Sequence, residues 1–253
     1  VSNDPTETSR PTVSRSWADD PMTAFDTEST GVDTEVARIV TASTVTIVGS
    51  TPRVRSWLTD VGGEEIPAEA TAVHHITTEH ARAHGIAAAQ AVRQIRDALV
   101  ESMYEGRPLV IYNAQYDLTL LDRECRRHGI EPPGAARVPL RVIDPLVIDR
   151  ATDQYRRGSR KLVDVAAHHG ITLAEDEAHT SAGDCLAAAR VAWCLGKRTP
   201  AGRLDIDQLQ TYQREAHSRW AANFEAFKRR QGEDVSIPRH WPIIPFELSG
   251  AVA

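Results

Sequence analysis

The segment Phe25-Asp26-Thr27-Glu28-Ser29-Thr30-Gly31 carries two carboxylates two residues apart, directly after Met22-Thr23-Ala24. Residues i and i+2 of a strand point to one face, so Asp26 and Glu28 at a strand end would stand side by side. At about 4 Å and an effective dielectric of about 20, such a pair costs about 4 kcal/mol unless a cation lies between them. Two further acids sit where elements should begin. Asp117 follows a short apolar run, and Asp184 falls in the first turn of a helix, where the macrodipole favours a negative side chain. Each alone reads as a capping acid. Brought to one sheet edge, the four would destabilise the fold unless one protonated or cations intervened. Hard divalent ions with oxygen ligands solve that problem, and magnesium is the natural candidate. His179, five residues before Asp184, is either a surface loop histidine or a group that takes a proton from water held at such a site.

Positioning these acids requires a sheet. The β-branched runs Val36–Val40 and Thr44–Val48 read as strand, and Pro52–Val61 as a third strand after the one bearing Asp26. Short links between them predict an antiparallel meander. Residues 66–85 read as a loop holding His74, His75, His80 and His84, whose spacings fit no zinc motif. Apolar spacing predicts a helix over 86–104, and Leu109–Tyr112 has the continuous apolar character of a central strand. A helix bearing Leu118, Leu121 and Cys125 follows, then a strand at Val142-Ile143. Helices over about 159–170 and 181–195 complete the series. The order predicts an α/β domain with a mixed sheet.

Residues 1–20, rich in Ser, Thr, Pro and Asp, read as a disordered tail. The domain spans 21–197. Beyond it, 198–253 carries a helical stripe of Leu209, Tyr212, Ala216, Trp220, Phe224 and Phe227, expected to dock on the domain, then a proline-broken tail with Trp241 that wraps back. The chain has 253 residues, 41% of them hydrophobic, with a formal charge of −6. Such a charge suits a nucleic-acid binder only if bound metals reverse the local field. Three scattered cysteines make no disulfide framework or zinc site. With no apolar run of membrane-spanning length and no signal-peptide pattern at the N-terminus, a reducing cytoplasm is expected. Lysine occurs only at 161, 197 and 228 while arginine and alanine abound, a codon bias that suggests a high-GC actinobacterium or its phage.

The segments F-D-T-E-S-T-G, Y-N-A-Q-Y-D and H-T-S-A-G-D, in this order, resemble the three motifs of the DEDDh 3′→5′ exonucleases of the DnaQ-like superfamily, over about residues 21–197. Thr180, where the tyrosine branch would carry its tyrosine, assigns the likeness to the histidine branch. The resemblance implies a ribonuclease-H-like fold, a mixed five-stranded sheet flanked by helices. It implies that Asp26 bridges two magnesium or manganese ions and that Glu28, Asp117 and Asp184 complete their coordination. His179 would be the general base, and nucleoside 5′-monophosphates would leave the 3′ end of a single strand, DNA rather than RNA. Thr30 and Gly31 resemble the segment against the terminal nucleotide. Val73–Thr77 resembles an H-G-I-T box bordering the substrate, with His74 at its head and His75 in place of the glycine. Asn113 and Tyr116 match the pattern before the third acid. The basic run with Arg156, Arg157 and Arg160 is the candidate for contacting strand phosphates. An RNA or short-oligonucleotide exonuclease is the alternative within this chemistry. A non-catalytic module, or one joined to a polymerase or repair partner through 198–253, is the alternative outside it.

Overall fold

The computed structural model describes residues 16–49, 51–172 and 180–246. Five strands form one sheet in the order β3-β2-β1-β4-β5. β1 (Met22–Ser29), β2 (Ile39–Val48) and β3 (Thr51–Leu58) make the antiparallel meander, and β4 (Leu109–Val110) and β5 (Val142–Ile143) join parallel to β1. This is the mixed five-stranded α/β sheet that the ribonuclease-H-like resemblance implies. The runs Val36–Val40 and Thr44–Val48 become one ten-residue strand starting at Ile39.

Alternation along β1 sorts the two layers. Phe25 joins Ile39, Ile95, Leu99 and Leu121 beneath α3 (Ala88–Tyr104) and α4 (Ala114–Arg127). Met22 and Ala24 join Val45, Val165, Ala188 and Ala192 on the opposite face, under α6 (Leu162–His168) and α7 (Ser181–Arg198). The same parity carries β4 and β5, with Leu109 and Val142 on the first face and Val110 and Ile143 on the second.

Some elements differ from the sequence reading. The 66–85 segment holds two short helices, α1 (Ala68–His74) and α2 (Thr78–His84), the second capped by Thr77 Oγ1 accepting from His80 N–H. Helix α5 (Pro145–Thr152) was not anticipated, although Asp144 before Pro145 supplies a capping acid and a proline at the first helical position. By Ser16 the N-terminal segment is structured. Trp17 is buried, and its Nε1 donates to the Ala201 carbonyl at 3.0 Å.

Helix α8 (Ile206–Arg230) starts with a capping box between Asp205 and Gln208. Gln213 ties it to β5, its Oε1 accepting from Asp144 N–H at 2.7 Å and its Nε2 donating to the Val142 carbonyl at 2.9 Å. Leu209 and Ala216 are buried against the domain, while Trp220 and Phe224 are half-buried and Phe227 is exposed. The expected stripe is thus buried at Leu209 and Ala216 and more open from Trp220 to Phe227, although Ala221 and Glu225 of the same half are buried.

Candidate active site

Parity also places the acids. Asp26 and Glu28 lie on the face of Ala24, which packs under α7, and Asp184 sits in the first turn of that helix. Asp26 pairs in register with Ser43 of β2. Ser43 Oγ meets Ser181 Oγ at 2.7 Å, and Cys185 Sγ donates to the Ser43 carbonyl at 3.3 Å, so the start of α7 is pinned beside Asp26. Thr180 caps the helix by accepting from Gly183 N–H at 3.1 Å. Oxygens of Asp26, Glu28 and Asp184 lie within 4.8 Å of one another. The register of β1 against β2 slips between Glu28 and Ser29, ending regular pairing where the acids stand.

Asp117, in the first turn of α4, stands outside this trio. Its Oδ1 accepts from Thr27 N–H at 3.0 Å and from Thr27 Oγ1–H at 2.6 Å. Thr27 projects to the α4 face because it lies between the two acids, so one strand residue positions the acid that arrives from the other layer. Sequence reading passed over Thr27, and strand parity was the signal that could have found it.

The electrostatics are those of crowded anions. Burial first, then Asp117, Asp184 and Glu28, raise the Asp26 pKa well above the carboxylate range. Glu28 is pushed up to about 7 by burial and by the charges of Asp184 and Asp117. Asp117 also rises to about 7 through burial, with the Thr27 hydrogen bonds opposing. Hard oxygen donors this close, held anionic at neutral pH only against such costs, fit a divalent cation.

Asp144, a fifth acid that the resemblance leaves out of the ligand set, is 1% exposed and wholly occupied. It accepts N–H from Asn113, Ala114, Leu146 and Val147, and Nε1–H from Trp241. It therefore fixes the start of α4. Asn113 adopts a left-handed φ of 66° there, a role in the turn leading to Asp117.

His74 is buried and lines a cavity of about 360 Å³ with Glu28, Thr41, Ser56, Trp57 and Ser181. Its Nδ1 accepts from Ile76 N–H at 3.2 Å, and burial lowers its pKa, keeping the ring neutral. His75, in place of the family's glycine, still makes the left-handed turn at φ 60°. Thr30 and Gly31 line a separate recess of about 580 Å³ with Arg38, Glu64 and Arg127. The Tyr116 hydroxyl donates to the Gly31 carbonyl at 2.5 Å.

The basic run divides. Arg156 Nη2 and Arg160 Nη1 bind Asp149 at 2.7 and 2.5 Å, drawn inward because that carboxylate is 1% exposed and needs counter-charge. They brace the loop rather than offer themselves to phosphates; Arg157 is exposed. His179 and the acids Glu175, Asp176 and Glu177 lie outside the described residues.

Comparison with known proteins gives the family and the fold. The RNase T family model, described as exonuclease, matches residues 23–192. An uncharacterised exonuclease of Escherichia phage 186 is 29% identical over 191 residues, covering 72% of this chain and 92% of the phage protein. A DNA polymerase III subunit epsilon-like protein of Rhodobacter capsulatus is 32% identical over 172 residues, covering 65% of this chain but 22% of the relative. Among solved structures, E. coli exonuclease I in complex with a dT13 oligonucleotide superposes with a TM-score of 0.59 at 16% identity, over 71% of this chain and 42% of that one. The chain thus spans less than half of exonuclease I, and that likeness concerns the fold. With the family model matched across most of its length, the chain belongs to the RNase T exonuclease family, DnaQ-like enzymes on a ribonuclease-H-like fold.

Proposed function

We propose that the chain is a divalent-metal-dependent exonuclease that removes nucleoside 5′-monophosphates from the 3′ end of single-stranded DNA. The observation that carries the proposal is the meeting of Asp26, Glu28 and Asp184 oxygens within 4.8 Å, with Asp117 held beside them by Thr27. Asp26, Glu28, Asp117 and Asp184 would hold two magnesium ions, with manganese as a substitute. Bound there, the cations supply charge stabilisation of the entering and leaving oxygens at phosphorus. The residues of the chain do the rest. Thr27 orients Asp117, the Ser43–Ser181 contact holds Asp184 in range, and His179 accepts the proton of the attacking water.

Single-stranded DNA is the preferred substrate because the solved relatives include exonuclease I complexes with dT13 and dA16 oligonucleotides. The cavity beside Glu28, with His74 at its wall, is the place for the terminal nucleotide. A bacterial host cell accords with the sources of the relatives. No helix among the described residues is long and apolar enough to cross a membrane.

The test is digestion of 5′-labelled single-stranded DNA, duplex DNA and RNA with magnesium, and with a chelator as control. A ladder that shortens from the 3′ end of single-stranded DNA, absent with the chelator, is expected. Faster loss of RNA would move the assignment to the ribonuclease alternative, and chelator-resistant cleavage would remove the metal site from the mechanism.

A further inference from the structure

The first turn of α4 carries Asp117, and the groups that hold this turn come from far along the chain. Helix α7, which carries Asp184, is capped by Thr180, the residue directly before it. The corresponding residue of α4, Asn113, makes no side-chain capping bond among the described residues and has a left-handed backbone. The N–H groups of Asn113 and Ala114 go instead to the Asp144 carboxylate. A helix start leaves its first donors without partners inside the helix, so whatever takes them fixes where the turn sits. Asp144 is itself held from beyond the family segment, which ends at 192, by Gln213 of α8 and by the Trp241 indole.

Gln115, two residues before Asp117, is bound by the same distant region. Its Nε2 donates to the His240 carbonyl at 2.6 Å and to the Pro238 carbonyl at 3.3 Å, with His217 Nε2 of α8 3.1 Å away. The C-terminal tail, residues 237–246, then follows one stripe of α4 at four-residue intervals. Thr119 Oγ1 accepts from Ile244 N–H at 3.0 Å, and the Arg123 guanidinium donates to the Ile244 and Pro245 carbonyls at 3.1 and 3.3 Å. Thr119 is fully buried and Arg123 is 4% exposed, so these polar groups depend on the tail for partners. The other end of the tail is moored to α8, where Ile237 N–H donates to Glu225 Oε2 at 3.1 Å. Residues two apart on a helix do not share a face. The turn is therefore clamped between the tail at Gln115 and Thr27 at Asp117.

We propose that Gln115 is a positioning residue: through it and the Asp144–Trp241 contact, the C-terminal tail sets the place of Asp117 at the acid site. A displacement of about 1 Å at a reacting centre can cost about a hundredfold in rate, so an anchor behind the helix acts on chemistry in front of it. The inference rests on the metal-dependent nuclease reading above and adds that residues outside the family segment complete its site.

The experiment uses the full chain with Gln115→Met, which keeps the length and removes the amide, and Trp241→Phe, which deletes the indole donor. Trp17→Phe is the control. It also deletes one buried indole bond, to the Ala201 carbonyl, but beside Gly196 near the end of α7. Magnesium affinity by calorimetry, kcat and KM on single-stranded DNA, and the thermal midpoint are measured for each. Gln115→Met and Trp241→Phe should bind magnesium about 10-fold more weakly, the low end of the range for groups that support a metal ligand, and should lower kcat with KM unchanged. Trp17→Phe should melt lower yet keep metal affinity and kcat. Metal affinity equal to wild type in both test variants would overturn the inference and leave the tail a stabilising wrap. An equal loss in Trp17→Phe would overturn it too, by tracing the effect to overall stability, as would a rise in KM alone, which would set the tail against the substrate. Wild type that binds magnesium but digests no strand would sink the nuclease reading, and the metal titration would still decide this one. Wild type that binds no magnesium would sink both.

Discussion

Asp26 sits where every electrostatic influence in the site converges: it is half-buried, and burial followed by the charges of Asp117, Asp184 and Glu28 raises its pKa. Replacing Asp26 by Ala should lower nucleotide release at least about a thousandfold, since the cations lose the ligand they would share. His179→Ala should slow release roughly 10²- to 10⁴-fold, the range for a lost general base, with metal affinity kept near wild type. Single-turnover cleavage together with calorimetric metal titration separates the two. Equal activity of Asp26→Ala in a clean preparation would mean the site is elsewhere. The pH behaviour follows from Glu28 and Asp117, both raised to about 7. Below that pH a cation must displace protons, so its affinity should climb by up to about tenfold per unit for each proton released and level off above about 8. Affinity that is flat between pH 6 and 8 would contradict these shifts. At this scale the sequence was legible wherever spacing encoded the chemistry, as for Asp26 and Glu28 on one strand face. It was silent on Thr27, because a threonine between two acids looks the same whether or not a helix from the other layer delivers Asp117 to it.

The elements that hold these residues meet at Asp144, which caps α5, gathers the first two N–H groups leading into α4, and takes the Trp241 indole of the C-terminal tail. Removing its carboxylate would leave several buried donors unpaired, so Asp144→Ala should cost about 3–5 kcal/mol in urea unfolding, near the upper end for single substitutions. Trp241→Phe, which deletes one hydrogen bond and keeps most of the apolar bulk, should cost about 1 kcal/mol. Similar losses for the two variants would mean that the tail, rather than the helix starts, depends on this carboxylate. The order of strands and the long helices could be read from period and punctuation, as with β4's apolar run and α3's stripe. Helices α1, α2 and α5 escaped because seven or eight residues give too little period to count, and capping signals at Thr77 and Asp144 were the only cues. The basic run was only partly legible for a related reason. Charge is visible in a sequence, but the buried partner Asp149 that turns Arg156 and Arg160 inward comes from packing.

The molecule as a whole stores repulsion at one sheet edge, and that makes its stability depend on pH and metal together. The unfolded chain protonates Glu28 near the ordinary glutamate value of 4.5, whereas the folded, metal-free chain does so at about 7. A carboxyl whose folded pKa is raised favours the fold when protonated, so its contribution is fully present below about 4.5 and is lost as pH rises through 7. Asp117 acts in the same direction, with its folded value also near 7. Metal-free protein should therefore lose several degrees of thermal midpoint between pH 5 and pH 8, and magnesium should restore more at pH 8 than at pH 5. Glu28→Gln offers the sharper reading. It removes one charge from the cluster while keeping its shape, so the metal-free variant should melt higher than wild type at pH 8 and gain less from magnesium. A variant that melts lower than wild type at pH 8 without metal, while remaining folded, would show that Glu28 is not held against its neighbours' charge. The fold would then owe nothing to relief by a cation. Stabilisation on losing the charge, coupled to loss of cleavage, would instead mark the cluster as kept for chemistry at the expense of the resting protein.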